Sequence, residues 1–572
     1  MPPFALIASK VGLETADRID RFGAAAVAQG WRAMPLSRSV VLAVGPGAAL
    51  NLQSLGAWRL VGDVFPRRGE MTGEPKSAAD LISQVWGRYV AFQLREDGRL
   101  AAVLRDPSGA LDALLLHTAD HWIVASDLPD WLLAAVRPAL QIDNVQVAGV
   151  LQDPTRAWDV SLLNGVNSVT PGACLNLEDR PVAHQVWRPS AFVDTASGLT
   201  LDAAGEWLRE VVDEAVSNLS ERAGVLATEL SGGLDSGIVA TSLARLDSPV
   251  RAWLHSYGSA PESDERSFAL PLAQRLGATL DLLKRPDTVL SQQDLQGLSL
   301  AFRPGFNAMD PVNDGIAAAR LKALGIETVL TGKGGDAVFF QAFGEEVFAD
   351  LWKRQGVRAL VSSTLPAVAR WEGRSIFSVV AGRKARPSDP QAGFLPPDAP
   401  ALAPHPWLET AQGVGPAKRL QIVGMLDGAG FSAASRQTQV ADIRHPLLSQ
   451  PVMEACLAIP ADQLTLGRDR GLARLAFAAR LTPQIATRRS KGDLTAYYGR
   501  LIARSLDVLR PWLLDGELAA RGLIDRGRAD RALSAEQLIW RGGYRDIMVA
   551  AAMESWLRTW RSRLEALEQA SP

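Results

Sequence analysis

The chain has 572 residues, of which 47% are hydrophobic and 21% are charged, a composition typical of a globular protein with roughly two to four domains. Its 60 basic and 62 acidic residues nearly balance, which excludes attraction to nucleic acid or an anionic membrane through the overall charge. The two cysteines, Cys174 and Cys456, lie far apart and form no CxxC pair, which argues against a disulfide framework or a structural zinc site.

The beginning of the chain carries acidic residues early and lacks a long apolar core, so it is not typical of a secretory signal peptide. The most apolar run, residues 39–50, contains glycine and proline and is too short to span a bilayer. Together with the low cysteine content, these features predict a soluble cytoplasmic protein with no membrane span and no nucleic-acid partner.

Short apolar runs separated by turn residues characterise the first 195 residues. Examples are "YVAFQLREDGRLAAVLRDPSG", "ALLLHTADHWIVASD" and "SVTPGACLNLEDRPVAHQVW". Runs bounded by EDG, DPSG and PG are typical of antiparallel strands joined by hairpins. We therefore predict a β-rich first domain over residues 1–195.

The pattern changes at about residue 200, where apolar side chains take on helical spacing. Buried strands are then predicted, with helical stretches between them, at residues 224–230, 249–257, 278–283 and 327–332. Strands that alternate with helices predict a parallel sheet with right-handed crossovers, in a second domain that covers residues 200–572. Beyond about residue 345 the chain is mostly helical, and its Pro-rich segment 382–407 is expected to form a long surface loop.

The stretch "VLATELSGGLDSGIVA" (225–240) places a glycine-rich turn between a predicted strand and a predicted helix. Open parallel sheets bind ligands at this position, and two glycines before a helix N-terminus suit a phosphate group. Asp235 would repel that phosphate unless a divalent cation lay between them, so its presence predicts Mg²⁺. The alternative is an ordinary strand-to-helix turn, in which glycine bends the chain and Ser or Asp caps the helix. The spacing does not match a Walker loop, which requires GxxxxGK followed by Ser or Thr.

The hexapeptide SGGLDS after an apolar strand resembles the pyrophosphate loop of ATP pyrophosphatases, which release pyrophosphate as they form an adenylate. The segment "GIETVLTGKGGDAVFFQ" (325–341) resembles a second strand and glycine-rich turn of the asparagine synthetase-like family. The resemblance implies that the cofactors are ATP and Mg²⁺ and that the metal ligands are Asp235 and Asp336. The nucleotide-binding residues that it implies are Leu230, Ser231, Gly232, Gly233, Asp235, Ser236, Tyr257, Thr331 and Gly332.

Two later segments resemble the same family in the same order. Residues 441–460 resemble the entry to one of its helices, and residues 471–493 resemble its late helix followed by a basic run. The carried-over lysine is Lys491, which the resemblance implies stabilises charge on the adenylate or on the tetrahedral intermediate. Arg474 in the late helix is a further candidate catalytic residue, and Asp442 is the candidate general base. Taken alone, the basic run would favour a solvated surface.

Residues 86–127 resemble the glutaminase domain that usually comes first in this family. That domain belongs to the N-terminal-nucleophile class, in which a cysteine at position 2 attacks glutamine. Position 2 is Pro2 here, and neither Cys174 nor Cys456 can take that role. We therefore expect an inactive, glutaminase-like domain that releases no ammonia, so that another amine must consume the adenylate.

Two branches of the family use an amine of the substrate itself. They are the β-lactam synthetases and the lasso peptide cyclases, which join a peptide's N-terminal amine to an Asp or Glu side chain. In β-lactam synthetases a Tyr–Glu pair deprotonates the attacking amine, and the tyrosine of that pair aligns with Lys333 here. A lysine can replace the phenol only if the pKa of the lysine is strongly lowered. The Gly-Gly-Asp of "GKGGDAVF" followed by apolar residues is more similar to lasso cyclases.

The expected fold is therefore an α+β, β-rich glutaminase-like domain followed by an α/β ATP-pyrophosphatase domain with a largely helical C-terminal half. The expected enzyme adenylates an Asp or Glu side chain of a leader-free precursor peptide and closes a macrolactam ring, releasing AMP and pyrophosphate. Its expected partners are the precursor peptide, a leader peptidase and a leader-recognition protein. Two alternatives stay open: another amide ligase, such as a β-lactam synthetase or an ammonia-dependent asparagine synthetase, and a non-catalytic scaffold of the same fold.

Overall fold

The computed structural model describes the chain except for residues 11–15, 48–50, 68–72, 179, 247–248, 383–393, 397–398, 490–491, 493, 542 and 570–572. The first part of the chain forms two six-stranded antiparallel sheets and a two-stranded ribbon. Its strands are β1 (Phe4–Ser9), β2 (Arg32–Ser37), β3 (Val40–Val44), β4 (Leu52–Leu55), β5 (Trp58–Pro66), β6 (Val85–Leu94), β7 (Leu100–Arg105), β8 (Leu114–His117), β9 (His121–Ala125), β10 (Gln141–Ile142), β11 (Leu163–Asn164), β12 (Asn167–Ser168), β13 (Ala173–Asn176) and β14 (Val182–Gln185). The sheet orders are β12-β8-β9-β1-β3-β2 and β14-β13-β7-β6-β5-β4, with β10 and β11 as the ribbon.

The two antiparallel sheets share one apolar core. Phe4 of β1 and Phe92 of β6 belong to this core, and their rings meet edge to face at 5.8 Å. The hairpins β6–β7 and β8–β9 occur where the turn residues predict them. The strand-dominated pattern did not predict the helices of this part, which are α1 (Ala16–Ala28), α2 (Ala78–Gln84), α3 (Asp130–Val136) and α4 (Asn144–Gln152).

A five-stranded parallel sheet follows, in the order β17-β16-β15-β18-β19. Its strands are β15 (Leu226–Glu229), β16 (Val250–Tyr257), β17 (Leu280–Lys284), β18 (Thr328–Leu330) and β19 (Asp442–Arg444). Helix α5 (Leu201–Ser220) precedes β15. The helices between the first four strands are α6 (Leu234–Leu243), α7 (Arg266–Arg275), α8 (Gln292–Gln296) and α9 (Pro311–Ala323). The parallel sheet and its first four strands are as predicted. The fifth strand was not, because three residues with charged ends carry no strand pattern.

The rest of the chain is helical, as expected. Its helices are α10 (Gly335–Val338), α11 (Glu345–Gln355), α12 (Thr364–Trp371), α13 (Ile376–Val380), α14 (Pro406–Glu409), α15 (Pro416–Ala429), α16 (Gln450–Ala458), α17 (Ala461–Thr465), α18 (Gly471–Phe477), α19 (Pro483–Thr487), α20 (Thr495–Arg504), α21 (Leu506–Leu514), α22 (Glu517–Ala520), α23 (Arg526–Ala532), α24 (Ala535–Arg541) and α25 (Tyr544–Gln569). Among the described residues, no helix combines the length and the apolarity that crossing a bilayer requires.

The described residues of the Pro-rich segment 382–407 pack against the antiparallel part of the chain. Leu402 occupies the space beside Gly149 in α4, where any Cβ would overlap it. Trp407 is buried, and its indole N–H donates to the Pro171 carbonyl at 3.0 Å. These residues form a partly buried connection rather than the expected surface loop, because their apolar side chains find partners that are distant in the sequence.

Candidate active site

The loop at residues 231–236 joins β15 to α6 at the carboxyl edge of the parallel sheet. Two serines close it: the Ser231 N–H donates to Ser236 Oγ at 3.1 Å, and the two hydroxyl oxygens are 2.9 Å apart. Gly232 has a φ of +85°, and a Cβ there would lie 2.9 Å from the Glu265 carbonyl oxygen, so glycine is needed for the loop to pass α7. Because α6 begins at Leu234, its free N–H groups and positive dipole end lie at the loop, as an anion site requires.

The turn that follows β18 touches this loop. A Cβ on Gly332 would lie 2.6 Å from the Asp235 carbonyl carbon, and a Cβ on Gly335 would lie 2.5 Å from Asp235 Oδ1. Both positions need glycine, because any side chain would push the loop and the turn apart. β15 and β18 are neighbours in the sheet, so this close approach brings Asp235 and Asp336 together.

Arg470 joins these two carboxylates. Its Nη1 is 2.7 Å from Asp235 Oδ2 and 2.5 Å from Asp336 Oδ1, while its Nη2 donates to Asp469 at 3.0 Å. Burial lowers the pKa of Arg470, but the neighbouring carboxylates of Asp235, Asp336 and Asp469 outweigh burial and raise it overall. The guanidinium is therefore a permanent positive charge beside the loop.

A cavity of about 200 Å³ opens over the loop. It brings together most of the residues that the sequence predicted for nucleotide and metal binding. Those that line it are Ser231, Gly233, Asp235, Ser236, Gly332 and Asp336.

Four predicted nucleotide contacts do not line this cavity: Gly232, whose backbone passes α7 as described above, and Leu230, Thr331 and Tyr257. Leu230 is buried, and its carbonyl accepts a hydrogen bond from His255 Nδ1 at 2.8 Å. Thr331 is buried, and its hydroxyl lies 2.7 Å from His445 Nδ1. Tyr257 carries an arginine guanidinium 4.1 Å from the centre of its ring. Leu230, Thr331 and Tyr257 therefore support the ends of β15, β16 and β18 in the structure, and the contact of all four residues with a nucleotide stays a prediction.

Arg474 lines the cavity, but bonds within the protein occupy its guanidinium. Its Nη2 is 2.7 Å from Asp469 Oδ2, and its Nη1 donates to the carbonyls of Ile485 and Ala486 at 3.0 and 3.2 Å. A guanidinium bonded in this way orients Asp469, and Asp469 in turn holds Arg470. The geometry thus favours a positioning role for Arg474 over the expected catalytic one.

Glu265 connects the basic run after α19 to the loop. Its carboxylate accepts from Arg488 Nη1 at 2.6 Å and from the Gly492 N–H at 3.1 Å, and the Arg488 guanidinium lies 3.8 Å from the centre of the Phe268 ring. Lys491 lies outside the described residues, so its role stays a prediction.

Asp442 lies at the amino ends of the parallel strands, whereas the two glycine-rich turns lie at their carboxyl ends. In β19 it pairs with Thr328, the first residue of β18, whereas both glycine-rich turns follow the last residues of their strands. Its carboxylate accepts from Arg88 at 2.8 Å, from Arg444 at 2.8 Å and from the Met1 ammonium at 3.0 Å. Burial alone would raise the pKa of Asp442, but these cations hold it well below its usual value. Such a carboxylate is a poor base at neutral pH, so the structure does not support Asp442 as the general base.

Sequence reasoning missed Arg470, and no local signal could have found it. Its partner Asp336 is 134 positions away, and the letters "GRDRGLAR" around it form no recognisable motif. The backbone of Arg470 has a left-handed φ of 51°, and its N–H donates to the Phe340 carbonyl at 3.2 Å. These contacts hold Arg470 beside the second glycine-rich turn.

A wider cavity of about 640 Å³ adjoins the first and shares Lys333 and Asp336 with it. Its wall is apolar at Phe340 and Phe431 and acidic at Asp427. The Lys333 ammonium lies 5.4 Å from the centre of the Phe431 ring, at the junction of the two cavities. The volume is within the range of about 300–1,000 Å³ that is typical of pockets for small ligands.

Asp235 and Asp336 suit Mg²⁺ that is shared with a nucleotide. The described residues contain no group of three or more His, Cys, Asp or Glu side chains that could hold a metal ion on their own. Mg²⁺ commonly takes one or two carboxylates and completes its shell with phosphate oxygens and water. Two carboxylates beside a loop with free N–H groups match this requirement, so Asp235 and Asp336 are the residues that would hold the ion.

Comparison with protein families agrees with this geometry. Residues 207–558 match the family model described as asparagine synthase, and a search of curated proteins found no match. The matched range covers more than half of the chain and includes Asp235, Asp336 and Arg470. Members of the family generally use ATP with Mg²⁺, which supports an ATP-dependent amide ligase. On this evidence, the chain belongs to the asparagine synthase family of ATP-dependent ligases.

Proposed function

We propose that this enzyme is an AMP-forming macrolactam synthetase that activates a peptide carboxylate with ATP. The observation that carries the ATP-dependent half is the contact between the two glycine-rich turns, which places Asp235 and Asp336 beside the N-terminus of α6. This arrangement offers N–H groups to a phosphate and two carboxylates to Mg²⁺. Bound there, Mg²⁺ would neutralise charge on the departing pyrophosphate.

The proposed reaction has two steps. A carboxylate oxygen of the peptide attacks the α-phosphorus, and the bond between that phosphorus and the bridging oxygen to the β-phosphate breaks, which releases pyrophosphate. The peptide's N-terminal amine then attacks the acyl carbon, loses a proton, and displaces AMP to leave an amide. Lys491 is the predicted residue that stabilises negative charge in this second step.

The wider cavity supports a substrate larger than an amino acid. It opens directly beside Asp336, and its apolar wall at Phe340 and Phe431 would bury hydrophobic side chains. Asp427 in the same wall, whose carboxylate also pairs with Arg545 at 3.2 Å, offers a negative charge to an ammonium group. A peptide that brings both its carboxylate and its amine into this cavity would close a ring on itself.

The properties of the cysteines are consistent with a substrate-borne amine. Burial raises the pKa of Cys174 to about 11 and that of Cys456 to about 12, so neither is an activated nucleophile. We propose that residues 1–195 form a degenerate, N-terminal-nucleophile-type glutaminase domain and that residues 200–572 form the ligase. The proposed partners are a precursor peptide, a leader peptidase and a leader-recognition protein.

The test is to incubate the enzyme with ATP, Mg²⁺ and linear synthetic peptides that carry a free N-terminus and one internal Asp or Glu. We expect AMP, pyrophosphate and a peptide product that has lost one water and resists N-terminal sequencing. Asp235→Asn and Asp336→Asn should each lower pyrophosphate release by about 10²-fold or more, because each removes a metal ligand. Asp264→Asn is the matched control, since Asp264 pairs with Arg266 next to the site without lining it.

Other products would point to the alternatives. Asparagine formed from aspartate and free ammonia would favour an ammonia-dependent asparagine synthetase, and a cyclised small β-amino acid would favour a β-lactam synthetase. Pyrophosphate release that survives Asp235→Ala and Asp336→Ala together would contradict the metal assignment. A complete absence of pyrophosphate release with all of these substrates would favour the scaffold. A gene for a short precursor peptide beside the gene for this enzyme would favour the cyclase.

A further inference from the structure

Arg470 and a metal ion would compete for the same two oxygens. The Nη1 group of Arg470 lies between Asp235 Oδ2 and Asp336 Oδ1, at 2.7 and 2.5 Å. Two carboxylates held this close repel each other unless a cation lies between them. A guanidinium and a divalent ion can each supply that charge, but both cannot occupy the space between the two oxygens.

Only one edge of the Arg470 side chain faces the two acids. Its Nε and Nη2 donate to Asp469 at 3.3 and 3.0 Å, and Arg474 holds Asp469 from the other side at 2.7 Å. The side chain is thus anchored away from the acids, with 6% of its surface exposed, and Arg470 is one of the residues that line the cavity over the loop. A small rotation about this anchor would turn Nη1 from the carboxylates toward an anion in the cavity.

A phosphate group is the anion that this cavity suits. Ser231, Ser236 and the first residues of α6 line the cavity, and arginine forms strong, often bidentate hydrogen bonds to phosphate as it does to carboxylate. A polyphosphate that binds together with Mg²⁺ therefore supplies both the cation that replaces Nη1 between the two carboxylates and the anion that Nη1 then contacts.

We propose that Arg470 holds Asp235 and Asp336 as an internal counter-cation and that Nη1 transfers to the nucleotide phosphates when Mg²⁺ binds between the two acids. This inference rests on the proposed function, since it requires a metal–nucleotide complex in the cavity. Its consequence is that the metal alone binds weakly, because it must displace the guanidinium without offering it a new anion. Metal and nucleotide therefore strengthen each other's binding.

The test measures Mn²⁺ binding to the full-length enzyme by electron paramagnetic resonance, with and without α,β-methylene-ATP, an analogue that cannot release pyrophosphate. We expect wild type to bind Mn²⁺ weakly alone and tightly with the analogue. Arg470→Met should bind Mn²⁺ alone about tenfold or more tightly than wild type, because a competing positive charge is gone. The same substitution should abolish most of the strengthening by the analogue. Arg470→Lys, which keeps the charge but not the two bonds to Asp469, should bind Mn²⁺ alone more weakly than Arg470→Met.

Arg374→Met is the matched control, because Arg374 also bridges two carboxylates, Glu345 and Glu372, outside both cavities. It should leave Mn²⁺ binding unchanged. If Arg470→Met is unstable without metal, its melting temperature should rise more on addition of Mn²⁺ alone than that of wild type, which supports the proposal by a second route. Unchanged or weaker Mn²⁺ binding by Arg470→Met, with normal binding by wild type, would overturn this inference alone. Failure of every variant to bind Mn²⁺ with the analogue would overturn the proposed function and the inference with it.

Discussion

At the scale of single residues, buried polar side chains hold the end of β18 in place. The Thr331 hydroxyl pairs with His445 Nδ1 at 2.7 Å, and His445 Nε2 donates to the Phe431 carbonyl at 3.0 Å. The Lys333 N–H donates to the same Thr331 hydroxyl at 3.2 Å. Burial and the Lys333 charge lower the pKa of His445 to about 3. His445 is therefore neutral in the folded enzyme near neutral pH.

His445 should make the enzyme sensitive to acid. An unfolded histidine takes up a proton below about pH 6.5, whereas the folded His445 takes one up only near pH 3. The unfolded state binds more protons between these values, so the free energy of unfolding falls as the pH falls through this window. For this one group the loss at pH 5 is about 2 kcal/mol relative to neutral pH.

Urea unfolding at pH 7 and pH 5 measures this loss. His445→Gln should lose about 2 kcal/mol less than wild type between the two pH values. His184→Gln, at an exposed position on β14, should behave like wild type. An equal loss in His445→Gln and wild type would show that His445 is not the group responsible.

At the scale of elements, the site depends on a loop and a turn that touch. The apolar runs predicted β15 and β18, and the glycine-rich motifs predicted the turns that follow them. The sequence could not predict β19, because its charged ends carry no strand pattern and its extended form depends on pairing with β18. The same limit explains the Pro-rich segment, whose buried positions depend on Gly149 and Pro171 in another part of the fold.

Gly335→Ala tests the contact between the loop and the turn. The new Cβ would lie 2.5 Å from Asp235 Oδ1, so Asp235 and Asp336 must move apart. Because a displacement of about 1 Å can cost about 10²-fold in rate, pyrophosphate release should fall by that order while the melting temperature falls only modestly. Gly198→Ala is the control, since a Cβ there meets no atom within 4 Å. Normal pyrophosphate release by Gly335→Ala would mean that the contact does not set the positions of the two acids.

At the scale of the whole molecule, buried ion pairs join the antiparallel part to the parallel sheet. Arg88 of β6 pairs with Asp63 of β5 and also with Asp442 of β19, and Arg444 completes the group at 2.8 Å from Asp442. Elsewhere along the same contact, Glu454 of α16 accepts from an indole N–H at 2.8 Å. Asp442 thus serves the contact between the antiparallel part and the parallel sheet, through its ion pairs with Arg88 and Arg444.

Asp442→Asn separates this structural role from the general-base role that the sequence suggested. Removing one charge from a buried ion-pair group leaves Arg88 and Arg444 undercompensated, which should lower the free energy of unfolding by about 3 kcal/mol. Turnover by the protein that remains folded should stay within several-fold of wild type. Asp281→Asn, which breaks a more exposed pair with Arg320, should cost less than about 1 kcal/mol. Normal stability with a large loss of turnover would restore Asp442 as the base.

The sequence by itself determined the parallel sheet and the two glycine-rich turns, because periodicity and turn chemistry act over a few neighbouring residues. It singled out Asp235 by its place in the first turn, and Asp336 only through the resemblance of its segment to a family. The tertiary structure decided what surrounds those acids. Arg470 lies between them, Arg474 donates to Asp469, and Asp442 lies at the amino ends of the parallel strands, away from both turns. These outcomes depend on which loops meet after the chain has packed, and a contact across 134 positions leaves no trace in local spacing.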